Sequence, residues 1–106
     1  MIVVVARVAT DAARRDELVR VGNELARASR AEEGCVRYAL FQATEDENAF
    51  VFVEEWESQE ALDTHFGTPH LVQFMQAVPN LLVATPEVKF HTVASTVDLA
   101  DPGANA

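Results

Sequence analysis

Four segments of the chain have the apolar pattern of short β-strands. They are residues 2–9, 35–43 and 50–57, and a fourth, interrupted strand made of 81–83 and 87–93 with Pro86 at the break. These segments are rich in β-branched and aromatic residues, which is typical of strands. The polar run TEDENA at 44–49 separates the second segment from the third, so we expect these two strands to form a hairpin.

A helix is predicted between the first two strands, because apolar residues recur there at steps of three and four. This stripe consists of Leu18, Val21, Leu25 and Ala28. Thr10 and Asp11 carry side-chain oxygens that suit the N-cap position at the start of the helix. Gly34 suits the position that ends it, because glycine adopts positive φ angles without steric cost.

Two shorter helices are predicted after the third strand. Ser58 is a suitable N-cap residue, and the helix that it opens extends to about Phe66 before Gly67 ends it. Pro69 suits the first position of the next helix, where its missing N–H is not needed. The resulting order, β-α-β-β-α-β, predicts an α+β, ferredoxin-like fold.

The strands are apolar on both faces, although the helices of this fold cover only one face of the sheet. In the third strand, Phe50, Phe52 and Trp56 alternate with Val51 and Val53. The uncovered face would be a larger apolar patch than a soluble monomer normally exposes. We therefore expect a homodimer in which two sheets pack face to face.

Length and charge narrow the possible partners. The 106 residues fit one domain, predicted at 1–95 and followed by a polar tail at 96–106. The net charge is −9, and residues 44–106 hold eleven acidic residues against the single Lys89. Nucleic acids and anionic membranes both require a clustered basic face, so neither is expected as a partner.

A single cysteine, Cys35, excludes a disulfide within the chain and favours a reducing compartment. The first residues have neither the basic region of a signal peptide nor the length of a membrane span. Together these features predict a cytoplasmic protein. Cys35 is interpreted either as a reactive thiol or as a small buried residue at the start of a strand.

Glu54 shares a strand face with aromatic residues, because alternation places it with Phe52 and Trp56. Near the end of the strand it could reach water or pair with an arginine. Alternatively, apolar neighbours would raise its pKa and allow it to act as a base. Alternation alone leaves open whether this face meets the helices or a second subunit.

Two histidines, His65 and His70, flank the sequence FGTP and are candidates for proton transfer, with surface or capping roles as the alternative. Their spacing of five differs from the i,i+4 spacing of two ligands on one helix face, and no acidic or cysteine ligand is spaced with them in a known pattern. The sequence therefore predicts no metal site.

Tyr38 could donate its phenolic O–H into a pocket or simply pack in the sheet, and Trp56 could orient a ligand or belong to the core.

Motifs for nucleotide or flavin binding are missing from the sequence. It contains no P-loop and no G-x-G-x-x-G, and its four glycines are dispersed. Chemistry that depends on these cofactors through those motifs is not expected.

Several short motifs follow one another along the chain: EEGC at 32–35 followed by Tyr38, EEWES at 54–58, Ala61-Leu62, His65 and TPH at 68–70. Together they resemble the antibiotic biosynthesis monooxygenase family, and most closely its quinol monooxygenase branch. The resemblance covers about residues 1–95. It implies a dimeric α+β barrel, in agreement with the two-sided strands, and a pocket between the sheet and its helices.

The resemblance also implies an activity. Members of this family oxygenate hydroquinone-like or polyketide aromatics with O₂ and use no metal, flavin or haem. Such a site needs an apolar cavity, a base and hydrogen bonds that hold a phenolate. The matching residues would be His65 as the proton acceptor, Trp56 as the donor that orients the ligand, and His70. The cavity would be lined by Tyr38, Phe52, Glu54, Phe66 and Phe74.

Other branches of the family fit less well. Haem-degrading relatives use an asparagine on the first strand, where this chain has Ala6, Arg7 and Val8. Relatives that isomerise a phosphorylated sugar-like signal need several cationic ligands on the strands, which are scarce here. A dimeric barrel that binds a small ligand, or serves in a stress response, without catalysis is the alternative to a monooxygenase, because one fold serves many functions.

Overall fold

The computed structural model of the protein describes residues 1–100. In chain order, the elements are β1 (Ile2–Ala9), α1 (Arg15–Arg30), β2 (Cys35–Gln42), β3 (Ala49–Trp56), α2 (Gln59–Phe66), α3 (Pro69–Ala77), a 3-10 turn at Val78–Asn80, and β4 (Glu87–Thr92). The four strands form one antiparallel sheet in the order β2-β3-β1-β4. The predicted α+β, ferredoxin-like fold is confirmed.

One face of the sheet packs against the helices and holds the core; we call it the inner face. In the β1–β3 pair, Val4 lies opposite Glu54 and Ala6 lies opposite Phe52. Opposite residues of antiparallel strands place their side chains on the same face. The inner face and α1 thereby bury one continuous cluster, which includes Val4, Val8, Tyr38, Phe52, Trp56, Leu18 and Leu25.

The first helix begins later and ends earlier than the sequence pattern indicates. The carboxylate of Asp11 accepts a hydrogen bond from the backbone N–H of Arg14 at 3.0 Å, which closes a separate turn before α1 begins. The predicted N-cap is therefore wrong. The buried residues of α1 are Leu18, Gly22, Leu25, Ala26 and Ser29. Val21 and Ala28, which belonged to the predicted stripe, lie only partly buried at its flank.

Gly22 explains how the helix approaches the sheet. A methyl group at this position would come within 2.8 Å of the Leu40 side chain and 3.2 Å of the Phe52 ring. Since both neighbours lie on the inner face, the missing side chain lets α1 pack closely on β2 and β3.

The fourth strand is a single segment, so the prediction of a strand at 81–83 is wrong. This stretch follows the 3-10 turn and is attached to the end of β1 instead. The hydroxyl of Thr10 donates to the carbonyl of Leu81 at 2.6 Å, and the N–H of Val83 donates to the carbonyl of Ala9 at 2.9 Å. Thr10 thus anchors the connection before β4 and does not cap α1.

The two short helices begin where the sequence predicts. The Ser58 hydroxyl accepts a hydrogen bond from the N–H of Ala61, and the Thr68 hydroxyl accepts one from the N–H of Leu71, ahead of α2 and α3 respectively. Pro69 occupies the start of α3 as expected.

The other face of the sheet, which we call the outer face, presents a central group of apolar side chains. They are Val3, Val5, Ala39, Phe41, Val51 and Val53, all partly or largely exposed in the single chain. Strict alternation would add Cys35 to this group. A register shift between Cys35 and Arg37 instead places Cys35 opposite Trp56, so that part of the alternation pattern is wrong.

The C-terminal part of the described chain contains no helix or strand between Val93 and Ala100. Residues 101–106 of the predicted tail lie outside the described residues. Within residues 1–100, no helix combines the length and apolar character needed to cross a membrane.

Candidate functional site

Most of the predicted site residues form one aromatic cluster between the inner face and the short helices. The His65 ring lies 4.6 Å from the Trp56 ring and 5.4 Å from the Tyr38 ring, measured between centroids. Tyr38 in turn lies 6.2 Å from Phe52. Trp56, His65, Tyr38 and Phe52 are all at most 3% exposed, so their rings fill the space between sheet and helices.

The remaining aromatic residues lie at the edges of this cluster. Phe74 packs against Phe52 with ring centroids 5.4 Å apart. Phe66 lies 6.2 Å from His65, but it is half-exposed and also contacts Phe90 of β4 at 6.0 Å. Phe66 therefore connects the buried cluster to the surface.

Glu54 is buried on the inner face, which settles the question of orientation that alternation left open. Its carboxylate accepts a hydrogen bond from the Trp56 indole N–H at 2.9 Å. It neither reaches water nor pairs with an arginine, so those interpretations are wrong. The N–H that the resemblance assigned to a ligand is donated to Glu54 in this structure.

Burial raises the pKa of the Glu54 carboxyl above its ordinary value, although hydrogen bonds from Trp56 and Tyr38 oppose the shift. Burial also raises the pKa of the Tyr38 phenol, and the neighbouring Glu54 carboxylate adds to this shift. Both changes favour the protonated, uncharged forms in the apolar interior.

A carboxylate that sequence reasoning did not single out, Glu32, joins the two histidines. Its Oε2 lies 2.6 Å from Nδ1 of His65 and 2.8 Å from Nε2 of His70. Glu32 follows the end of α1 and is 33 residues from His65 along the chain. It lies within the EEGC motif, which was the only signal in the sequence that could have pointed to it.

Glu32 determines the tautomer of His65. When the carboxylate is ionised, its shared oxygen can only accept, so Nδ1 of His65 must carry the hydrogen. In a neutral imidazole the other nitrogen, Nε2, then holds a free lone pair. Burial lowers the pKa of His65, with Glu32 opposing the shift, which favours this neutral form. A base oriented by a carboxylate recurs in many catalytic sites.

Two surface openings border the cluster. A cleft of about 430 Å³ between α1 and α3 has His70 and Phe74 in its wall. A second groove of about 380 Å³ exposes the Glu32 end of the cluster and carries three further carboxylates. His70 is partly exposed, whereas His65 is buried behind it.

Comparison with known proteins agrees with this architecture. The family model for antibiotic biosynthesis monooxygenases matches residues 1–77. The Synechocystis protein sll1783, described as uncharacterized, is 32% identical over 98 residues, which cover 92% of this chain and 67% of that protein. The Bacillus subtilis protein named "Putative monooxygenase YcnE" is 35% identical over 88 residues, which cover 83% of this chain and 93% of that protein.

Among solved structures, Rv0793 from Mycobacterium tuberculosis superposes with a TM-score of 0.85 at 27% identity. The superposition covers 92% of this chain and 98% of the Rv0793 chain, so the two proteins share the whole fold described above. With the family model matching well over half of its length, the chain belongs to the antibiotic biosynthesis monooxygenase family.

Proposed function

We propose that the protein is a cofactor-independent monooxygenase that oxidises a hydroquinone-like or polyketide aromatic with O₂. The observation that carries this proposal is the Glu32–His65 pair, in which a carboxylate orients an imidazole among aromatic rings. An electron-rich phenol needs little more than such a base, because its anion can reduce O₂ directly.

The proposed reaction starts with transfer of the phenolic proton to Nε2 of His65. The phenolate then gives one electron to O₂, and the resulting phenoxyl radical and superoxide combine at a ring carbon to form a peroxide anion. The His65 imidazolium returns its proton to this anion, which gives a hydroperoxide. Loss of water from this hydroperoxide leaves a quinone. One oxygen atom of O₂ enters the product and the other leaves as water, so no external reductant is required.

The surrounding residues would position the substrate rather than react with it. The substrate would enter from the cleft between α1 and α3, which has His70 and Phe74 in its wall, and these side chains would have to move aside to expose the buried His65. Phe66 and Phe74, at the edges of the cluster, would provide apolar contacts for an aromatic ring, and Tyr38 and Phe52 form the buried part of the cluster. Trp56 supports His65 through ring contact and holds Glu54 through its N–H.

Oxygen uptake with a menadiol-type quinol tests this function. The wild type should consume O₂ well above the autoxidation rate. In His65→Gln this activity should fall at least about a hundredfold, and in His91→Gln it should be unchanged. His91 is an exposed residue of β4 that pairs with Val3 on the outer face, the face of the sheet opposite to His65, and serves as the matched control. Uptake at the autoxidation background, with the quinol still bound, would favour the non-catalytic ligand-binding alternative.

We further propose that the protein works as a homodimer that covers the outer face. Six apolar side chains lie at the centre of this face, and charged residues such as Arg7, Arg37 and Lys89 surround them. Packing this face against a second copy would remove the apolar patch from water and complete an α+β barrel.

A further inference from the structure

Three potential metal ligands converge at the end of the cluster that faces solvent. Oε2 of Glu32, Nδ1 of His65 and Nε2 of His70 all lie within 4.8 Å of one another. We propose that these residues bind a divalent transition-metal ion such as Zn²⁺, and that the bound ion switches off the proton acceptor. The ion-binding part stands alone, whereas the inhibition rests on the proposed function.

The donor set has the right chemistry. Two imidazole nitrogens and one carboxylate are the ligands of many zinc and non-haem iron sites, with water in the remaining positions. A pattern search by sequence spacing cannot find this set, because Glu32 reaches the histidines only through the fold.

The distances require a small adjustment. Ligand atoms on a tetrahedral zinc ion lie about 3.4 Å apart, given metal–ligand bonds of about 2.0–2.2 Å. The two contacts of Glu32 are now 2.6 and 2.8 Å, so each has to widen by less than about 1 Å. The two imidazole nitrogens lie within 4.8 Å of each other and have to reach the same spacing. His70 can provide this movement, since it lies in the first turn of α3 and is 26% exposed.

The carboxylate has unused binding capacity. The second oxygen of Glu32, Oε1, is buried and has no hydrogen-bond partner among residues 1–100. An unpaired buried oxygen of this kind costs free energy, which an ion or its bound water would recover.

The approach to the site favours cations. The groove beside Glu32 is also lined by Glu33, Glu57 and Glu60, and its lining includes no lysine or arginine. Carboxylates along one groove raise the local concentration of positive ions. A divalent ion would therefore collect at the mouth through which it reaches the three ligands.

Metal binding would change the tautomer of His65. An ion on Nδ1 displaces the hydrogen that Glu32 holds there, and a neutral imidazole then carries its hydrogen on Nε2. Nε2 can no longer accept a proton from a phenol. A metal at this site consequently acts as an inhibitor of the proposed oxidation and not as its cofactor.

Titration of the chelator-treated 106-residue chain with Co²⁺ and Zn²⁺ tests the site. Visible d–d bands of Co²⁺ should appear at one equivalent and disappear as Zn²⁺ displaces it. In calorimetry, Glu32→Gln and His70→Gln should each weaken Zn²⁺ binding by at least about tenfold. The matched control His91→Gln should bind as the wild type does, and circular dichroism checks that every variant is folded.

Several outcomes would overturn the metal site. They are the absence of Co²⁺ bands, unchanged Zn²⁺ affinity in both Glu32→Gln and His70→Gln, or a loss of affinity only in His91→Gln, which would mark adventitious surface binding.

Oxygen uptake then separates the two proposals. If the protein oxidises the quinol but does not bind Zn²⁺, only the metal site is refuted. If it binds Zn²⁺ but the metal-free protein does not oxidise the quinol, only the monooxygenase is refuted. Turnover that persists at saturating Zn²⁺ refutes the inhibition.

Discussion

Glu54 and Trp56 form a buried, hydrogen-bonded pair on the inner face of the sheet. The indole N–H has its acceptor within the same strand, two residues away, at 2.9 Å. Because this bond satisfies a donor that is shut off from water, its loss should cost more than an average surface contact.

Substitutions at Glu54 should distinguish the contribution of its hydrogen bond to stability from the contribution of its charge. Glu54→Gln keeps an acceptor for Trp56, so its free energy of unfolding should stay within about 1 kcal/mol of the wild type at neutral pH. Glu54→Ala should lose about 2–3 kcal/mol, because it leaves a cavity and an unpaired N–H. Urea unfolding measures both. Glu55→Ala removes a partly exposed ion pair with Arg37, serves as the control and should cost less than about 1 kcal/mol.

The pH dependence of this series follows from the raised pKa of Glu54. A carboxyl whose pKa is raised in the folded state holds its proton more tightly there than in the unfolded chain. Folding is therefore favoured at low pH and weakened as pH rises above the ordinary value of 4.5. Glu54→Gln should gain stability relative to the wild type over this rise; an opposite trend would mean that the folded state prefers the ionised carboxylate.

Cys35 should be a slow nucleophile. Burial, aided by the charges of Glu32 and Glu54, raises the pKa of its thiol to about 11. At pH 8 the folded protein should react with Ellman's reagent at least about tenfold more slowly than an unfolded sample in urea. The rate should rise with pH toward that pKa. Equal rates in folded and unfolded protein at pH 8 would contradict this and support the reactive-thiol interpretation.

At the scale of elements, Gly34 controls how the turn after α1 meets α2. Its φ is +84°, and a methyl group there would lie 2.6 Å from the Cβ of Ala61. The sequence pattern indicated a glycine that ends α1, but the helix ends at Arg30 and Gly34 serves this close approach instead.

Gly34→Ala should lower the free energy of unfolding by about 2–4 kcal/mol, because backbone strain and the clash with Ala61 add together. Gly67→Ala is the matched control. Gly67 has a φ of −94°, and the nearest atom to an added methyl is 3.7 Å away, so the change should stay within about 1 kcal/mol. Ala61→Gly should recover part of the loss of Gly34→Ala. Similar losses at both glycines would show that the contact with Ala61 is unimportant.

The elements differ in how well local sequence predicts them. The starts of α2 and α3 are correct in the prediction because Ser58, Thr68 and Pro69 act on backbone groups within three residues. The prediction for the segment 81–83 is wrong, because this segment pairs with the end of β1, more than 70 residues away. The register shift at Cys35 likewise depends on pairing with β3.

At the scale of the whole molecule, the outer face should make the protein dimeric. Light scattering should give a mass of twice 11.6 kDa for the wild type. Phe41→Glu, on the outer face of the edge strand β2, should shift the mass toward that of one chain, since two buried charges would oppose the interface. Met75→Glu, on the equally exposed surface of α3, should remain dimeric. A wild-type mass of 11.6 kDa at micromolar concentration would refute the dimer.

The candidate site shows the same division between local and long-range information. Strand alternation and the motifs around His65 and His70 predicted the site residues that the fold brings together, such as Trp56 and the two histidines. They did not reveal Glu32, because no periodic pattern connects a loop after α1 to two short helices more than 30 residues later.

The sequence by itself determined the order of the elements, the two-sided apolar strands and the start of each short helix. These features arise from side-chain alternation and from contacts within a few residues. Only the tertiary structure decided that Glu54 turns toward the helices, that Cys35 shares a face with Trp56, and that Glu32 holds both histidines. Each of these depends on which distant segments pack together, and burial of the whole core determines that packing.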